Sequence, residues 1–197
     1  MSPQERSGDS RQLVLNTAKR QLWEKADSSL RISDLSFETG LSTTVIYTYF
    51  RSRQGLIDAA YIEIYKEINI NFLKSFSEIC IKSTSTSDLI EKMTVRYSAF
   101  SKEDIDNRLM RLRIAGAAVS RQKMAAQFSK CQEEYFKDVA AIFEKLQKRK
   151  IISATFSAAE LAYITDGLTM MQGVLEATSI HGKEAGRPKL LSLIFSS

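Results

Sequence analysis

The 197-residue chain carries only two prolines and eight glycines, too few turn formers for a sandwich or barrel of many short strands. Its length allows one large buried core or two smaller ones. The formal charge of +5, from 28 basic and 23 acidic residues, is a moderate excess that by itself says little about a polyanionic partner.

No long apolar run is present, so no membrane span is expected. Cys80 and Cys131 stand far apart, without metal-ligand spacing, and read as reduced, buried thiols. The single histidine, His181, lies in a glycine-flanked loop. No strand precedes a glycine-rich phosphate loop. No catalytic residue, metal site or cofactor is expected, and the chain does not read as an enzyme.

Residues 1–10, MSPQERSGDS, lack an apolar core and are expected to form a disordered arm. A first helix is expected from Arg11 to Lys25. Val14, Ala18 and Leu22 fall four apart, and Leu15 and Trp23 widen the buried stripe. After a polar turn comes Ile32 to Phe50, ISDLSFETGLSTTVIYTYF, which reads as two short helices joined at Gly40. Glycine tolerates the left-handed backbone that ends a helix. Ser33 is expected to cap the first of the two. Ser42 is expected to cap the second by accepting from an orphan N–H.

That second helix, Thr43 to Tyr49, can bury Val45 and Ile46. It leaves Thr43, Thr44, Tyr47, Thr48 and Tyr49 as hydroxyl-bearing side chains. No Asp or Glu stands between Thr39 and Ile57, while Arg51 and Arg53 follow closely. Phosphate oxygens repel carboxylates and accept bonds from Ser, Thr, Tyr and Arg, so this is a surface that a nucleic-acid backbone tolerates. Tyr47 either reaches a base or sugar or packs against Trp23 and the helix that follows.

Gly40-Leu41-Ser42, then Tyr47, Tyr49-Phe50, Arg53 and Leu56 resemble the helix-turn-helix signature of the tetracycline-repressor (TetR/AcrR) family, over residues 10–60. Arg53 stands where that family usually has Lys, and Phe37 where a polar residue is usual. The resemblance implies an all-α fold: an N-terminal three-helix bundle with the helix-turn-helix, then a larger C-terminal helical domain for ligand binding and dimerisation. The expected division is 11–58 and 59–197. The resemblance implies DNA contact at Thr44, Tyr47, Tyr49 and Arg53. The residue reading adds Thr43 near base edges and Thr48 and Arg51 on phosphates. A homodimer on a near-palindromic double-stranded DNA operator is the expected assembly.

Ser52 to Lys82 reads as one helix of roughly 45 Å, too long for the bundle alone and so a mechanical link between domains. Lys82 to Ser87 reads as a loop and Asp88 to Phe100 as a helix. Ser101 opens another helix that runs through Ile114 and breaks near Gly116. Arg121 to Lys148 is a long helix whose basic end, Lys145 to Lys150, complements the dipole. Ser157 and Glu160 form a capping box for a helix to Thr178 with two apolar stripes. One stripe, Tyr163, Gly167, Met170 and Val174, is assigned to a dimer interface. A polar loop from His181 to Pro188 and a short helix from Lys189 to Phe195 close the chain.

Tyr97, Met124, Phe128 and Tyr163 are the expected lining of an effector pocket, which would suit a bulky, mostly apolar small molecule. The expected function is that of a cytoplasmic, sequence-specific DNA-binding transcriptional regulator, most simply a repressor released by its ligand. A ligand-independent nucleoid-associated DNA binder and a helical protein–protein adaptor are the alternatives.

Overall fold

Helical periodicity runs through nearly every segment of this sequence, and among the described residues the only regular structure is helical. A computed structural model describes the backbone of residues 3–98, 101–178 and 186–196, and the side chains of 8–96, 101–178 and 189–196. The order is α1 (Pro3–Glu24), a 3-10 turn (Asp27–Ser29), α2 (Ile32–Thr39), α3 (Thr43–Phe50), α4 (Arg53–Lys82), α5 (Thr86–Ser98), α6 (Lys102–Val119), α7 (Gln122–Lys148), α8 (Ala158–Ala177) and α9 (Gly186–Ser196).

At four serine caps the sequence reading holds. The Ser42, Ser52, Ser101 and Ser157 side chains each accept from a backbone N–H at the start of α3, α4, α6 and α8, and Ser157 with Glu160 completes a capping box. Gly40 ends α2 at φ 69°, in the left-handed region.

Four expectations are corrected. First, α1 begins at Pro3, not Arg11. Proline suits a first helical turn, and the seven residues that follow, six of them polar, extend a helix already nucleated by its buried part. Second, Ser33 does not cap α2; its hydroxyl donates to Asp34 Oδ1, and the N-cap position, Arg31, makes no side-chain cap bond. Third, α6 runs through Gly116 to Val119, where a break was expected. One interior glycine costs about 1 kcal/mol against alanine, and the flanking Ala115, Ala117 and Ala118 are the best helix formers. Fourth, Trp23 is 38% exposed. The buried face of α1 follows Val14, Leu15, Ala18, Gln21 and Leu22, and Trp23 lies beyond its edge.

Two apolar cores form. The first joins α1, α2, α3 and the first half of α4 to Met110, Ile114 and Ala118 of α6 and Met124 and Cys131 of α7. The second joins Phe76 and Cys80 of α4 to α5, α7, α8 and α9 around Phe143 and Phe195. The α3-bearing bundle is therefore packed into the same core as α6 and α7. Both thiols are free and buried. Burial pushes Cys80 up to about 12, against the opposing pull of Arg149, so it stays a protonated, inert thiol.

The α3–α4 corner is tight. A methyl group on Gly55 would lie 2.3 Å from the Phe50 carbonyl oxygen, a backbone atom that cannot swing aside. Gly55→Ala is expected to destabilise by about 1–3 kcal/mol. Urea unfolding measures this; an unchanged midpoint would mean the corner relaxes freely.

Candidate nucleic-acid interface

The residues that fix α3 are small and local. Ile46 and Phe50 are buried on its inner face. Ser36 Oγ donates to the Leu41 carbonyl at 2.6 Å, and Thr39 Oγ1 donates to the Leu35 carbonyl at 2.6 Å, which closes the turn between α2 and α3. Arg51 ends α3 with a left-handed φ of 65°, uncommon for a non-glycine residue, and its N–H donates to the Tyr47 carbonyl. The Arg11 guanidinium lies 5.1 Å from the Phe50 ring centroid.

With Ile46 and Phe50 inward, the opposite face of α3 is turned to solvent. Thr43, Thr44, Tyr47, Thr48 and Arg51 are exposed. Tyr47 is 44% exposed, so part of its ring is open to solvent. Thr48 donates its hydroxyl proton to the Thr44 carbonyl at 2.9 Å, leaving it an acceptor toward solvent. A phosphate wants a donor, so Thr48 is a poorer phosphate ligand than its type suggested. Tyr49 is half-buried, edge-on to Phe50 at 6.3 Å. On α2, Phe37 is 91% exposed, and nothing in the structure explains it.

Arg53 has a different employment from the phosphate contact expected of it. Its Nε donates to the Leu30 carbonyl at 2.6 Å and its Nη2 to the Asp27 carbonyl. It is a strut between the start of α4 and the α1–α2 turn. Arg53→Ala is expected to destabilise by about 2 kcal/mol, because two carbonyls lose a charged donor. It is expected to weaken DNA binding without changing the slope of log affinity against log salt. A slope flattened by about one unit would restore the phosphate role.

The bundle that carries α3 is gripped from behind. Arg121, between α6 and α7, donates to Asp58 Oδ1 of α4 at 3.0 Å and to Asp27 Oδ2 at 2.9 Å. Arg113 of α6 donates to the Leu22 carbonyl at 3.0 Å. A short outward helix, presented by a three-helix bundle and seated on a larger helical body, is a complete architecture that can be compared with known ones. The chain has the fold of the TetR-family transcriptional regulators. A TetR-family regulator from Cytophaga hutchinsonii superposes at a TM-score of 0.68, with 14% identity and 98% of each chain covered. A Rhodococcus protein described as a TetR-family regulator gives 0.68 at 17% identity, covering 96% of this chain and all of that one. A transcriptional regulator from Saccharomonospora viridis, solved in complex with choline, gives 0.64 at 17% identity with 94% of each chain covered. No protein-family model and no curated protein matches the sequence.

In the TetR fold the remaining expected residues are not brought together. Met124 is fully buried in the first core. Phe128 lies 4.8 Å from the Tyr65 ring, and Tyr163 is 62% exposed and 4.4 Å from Phe136 on the outer side of α8. The Tyr97 side chain lies outside the described residues. Met124, Phe128 and Tyr163 line none of the cavities among the described residues, so these three do not build the expected bulky apolar pocket. Of the assigned interface stripe, Gly167 and Val174 are exposed and Met170 half-buried, on the same outer side as Tyr163.

What occupies the interior instead is charge, which the sequence reading missed. Arg111 is 3% exposed; its Nη2 donates to Asp166 Oδ1, and its guanidinium lies 5.4 and 5.2 Å from the Tyr65 and Tyr135 rings. Gln132 donates to Asp166 Oδ2 at 3.1 Å and accepts from the Tyr65 hydroxyl. Burial pushes the Tyr135 phenol up to about 12, with Arg111 pulling the other way, so it stays neutral. Arg108 makes a bidentate pair with Glu176, its Nε 2.8 Å from Oε2 and its Nη2 2.5 Å from Oε1. The signal was legible only as an oddity: Asp166 is the lone charge in the apolar run from Leu161 to Leu175.

Proposed function

We propose that the protein is a sequence-specific DNA-binding regulator of transcription, most simply a repressor released by a small molecule. The observation that carries this is the outward face of α3: exposed Thr43, Thr44 and Tyr47, with no carboxylate from Gly40 to Ile57. A helix-turn-helix lays its second helix in the major groove with its N-terminal residues on base edges. Thr43, Thr44 and Tyr47 then meet bases or sugars, and Arg51 meets a phosphate. Residues 11–58 serve as the DNA-binding unit and 59–197 as the regulatory and pairing unit.

One α3 holds few base contacts, so specificity comes from two copies on a near-palindromic operator, with half-sites about one helical turn, roughly 34 Å, apart or a multiple of it. A ligand acts by binding one spacing of the two helices better than another. The choline complex of the Saccharomonospora viridis regulator supports a small-molecule effector here as well. Among the described residues no helix is long and apolar enough to cross a membrane. With DNA as its partner, this reading assigns the protein to the cytoplasm.

Selection of sites from random duplex DNA, with the protein and with Tyr47→Ala, tests this reading. An enriched palindrome that is lost or relaxed in the variant is the expected result. Failure to enrich any sequence overturns it.

A further inference from the structure

A cavity of about 90 Å³ opens among α4, α5, α6 and α8. Its walls are polar: Asn71 and Ser75 of α4, Asn107, Arg108 and Arg111 of α6, and Thr169 of α8, with Phe72 and Ile68 as apolar floor. At roughly 30 Å³ per water, it holds about three waters, or the polar head of a small molecule whose remainder reaches the open rim.

Two of the lining side chains are buried guanidiniums, and their bonding is incomplete. Arg111 Nε has no acceptor and no contact with solvent. Asp166 takes Nη2, and the Tyr65 and Tyr135 rings hold the plane of the guanidinium in place. Arg108 directs Nε and Nη2 at Glu176, which leaves Nη1. A buried N–H without an acceptor is costly, and native structures rarely carry one without a reason. Arg111 Nε has no accessible surface and so does not itself face the cavity. On the side chains that line it, Arg108 Nη1 is the donor left without a carboxylate, and a preorganised guanidinium with a free N–H on a cavity is built for a planar oxyanion.

The acids nearby do not fill that need. Asp166 and Glu176 are already paired with the guanidiniums they face. Asp104 is bound by Arg96 at 2.9 Å and by Ser101, and Glu103 is exposed at the rim. The interior end of the cavity is therefore cationic in its unmet bonding and the outer end is acidic.

We infer that this cavity binds a small carboxylate-bearing effector, its carboxylate on Arg111 and Arg108 and its hydroxyl or amino substituent toward Asn107 and the acidic rim. The inference rests on the regulator reading above and replaces the bulky apolar effector with a small polar one. The wall that receives the ligand is α6, and the same helix grips the α3-bearing bundle through Arg113. Occupancy of the cavity thus bears directly on the placement of α3.

The test uses full-length protein and a panel of three- to five-carbon α-hydroxy and α-amino acids, each beside its neutral amide. Binding is read by calorimetry, and release from the selected duplex by fluorescence anisotropy. Acids are expected to bind about 10–100-fold more tightly than their amides, because a charge-assisted bond is lost. Hydroxy acids and amino acids both satisfy the inference, and their ratio reports the rim. Arg111→Lys, checked by circular dichroism, is expected to lose at least tenfold in affinity. Asn107 lines the cavity but belongs to neither ion pair, so Asn107→Trp, which fills the space, keeps the proposal testable if Arg111→Lys fails to fold; it is expected to abolish binding. Equal binding of acids and amides, no binding of any acid, or unchanged affinity in Asn107→Trp overturns the inference. Duplex binding measured without any ligand reports separately on the regulator reading.

Discussion

Asp166→Leu is expected to destabilise the protein by about 3–5 kcal/mol and to lower Tm by roughly 10 °C. The aspartate accepts from Arg111 and Gln132, and all three lie between α6, α7 and α8. Leucine fills the volume but leaves a guanidinium 3% exposed with no counter-charge. Taking that charge out of water is tolerable only while its partner is present. The double substitution Arg111→Met/Asp166→Leu removes both charges together and is expected to recover most of the loss, since Met and Leu packed against the Tyr65 and Tyr135 rings leave no buried charge unpaired. Urea unfolding of the two single variants and the double closes the cycle. A single-variant loss below about 1 kcal/mol would mean that water reaches Arg111, and the polar interior would have to be redrawn.

The recovered stability comes with a functional penalty. If the double variant is as stable as the wild type but no longer responds to a carboxylate, the ion pair is retained for ligand chemistry and not for folding. That outcome separates the two roles of Arg111 in a way neither single variant can.

How much of this was legible in the sequence divides along a physical line. Caps and short turns are decided within four residues. Ser42, Ser52 and the Ser157–Glu160 box therefore announced α3, α4 and α8 from the chain alone. The outward face of α3 was equally local, because burial of Ile46 and Phe50 leaves the hydroxyls only one direction. The charged interior was not local. Arg111 and Asp166 are 55 positions apart, and each alone reads as solvating charge on a helix face. Nothing short of the α6–α8 packing tells a buried arginine from an exposed one. That packing is unusually close: a methyl on Gly173 would lie 3.3 Å from the Arg108 carbonyl oxygen. Arg53 misled for the opposite reason. Its position in the motif resembles a phosphate contact, but its side chain turns back to carbonyls 23 and 26 residues upstream. The effector pocket was misjudged because aromatic and methionine side chains at helical spacing serve core packing as readily as ligands, and Met124 does so.

Val174→Asp is the second substitution expected to act strongly, this time on assembly. Tyr163, Gly167, Met171 and Val174 form an exposed run along the outer side of α8, with Tyr163, Met171 and Val174 at 62%, 57% and 41% exposure. A two-fold pairing through this face brings each residue against the same surface of its partner, so one substitution places two new charges in the contact. Both would be desolvated without a counter-ion, which costs several kcal/mol each. The expected result is a monomer in light scattering. With pairing gone, the two half-sites are no longer bound as one unit, and operator affinity is expected to fall about 10²–10⁴-fold while affinity for a single half-site is unchanged. Val119→Asp is the matched control: Val119 is 89% exposed at the end of α6, on a helix other than the one that bears the stripe, and its substitution should leave both the mass and the operator affinity as they are. A Val174→Asp protein that remains dimeric and still binds the full palindrome places the pairing surface elsewhere, and the α8 stripe then has no claim on it.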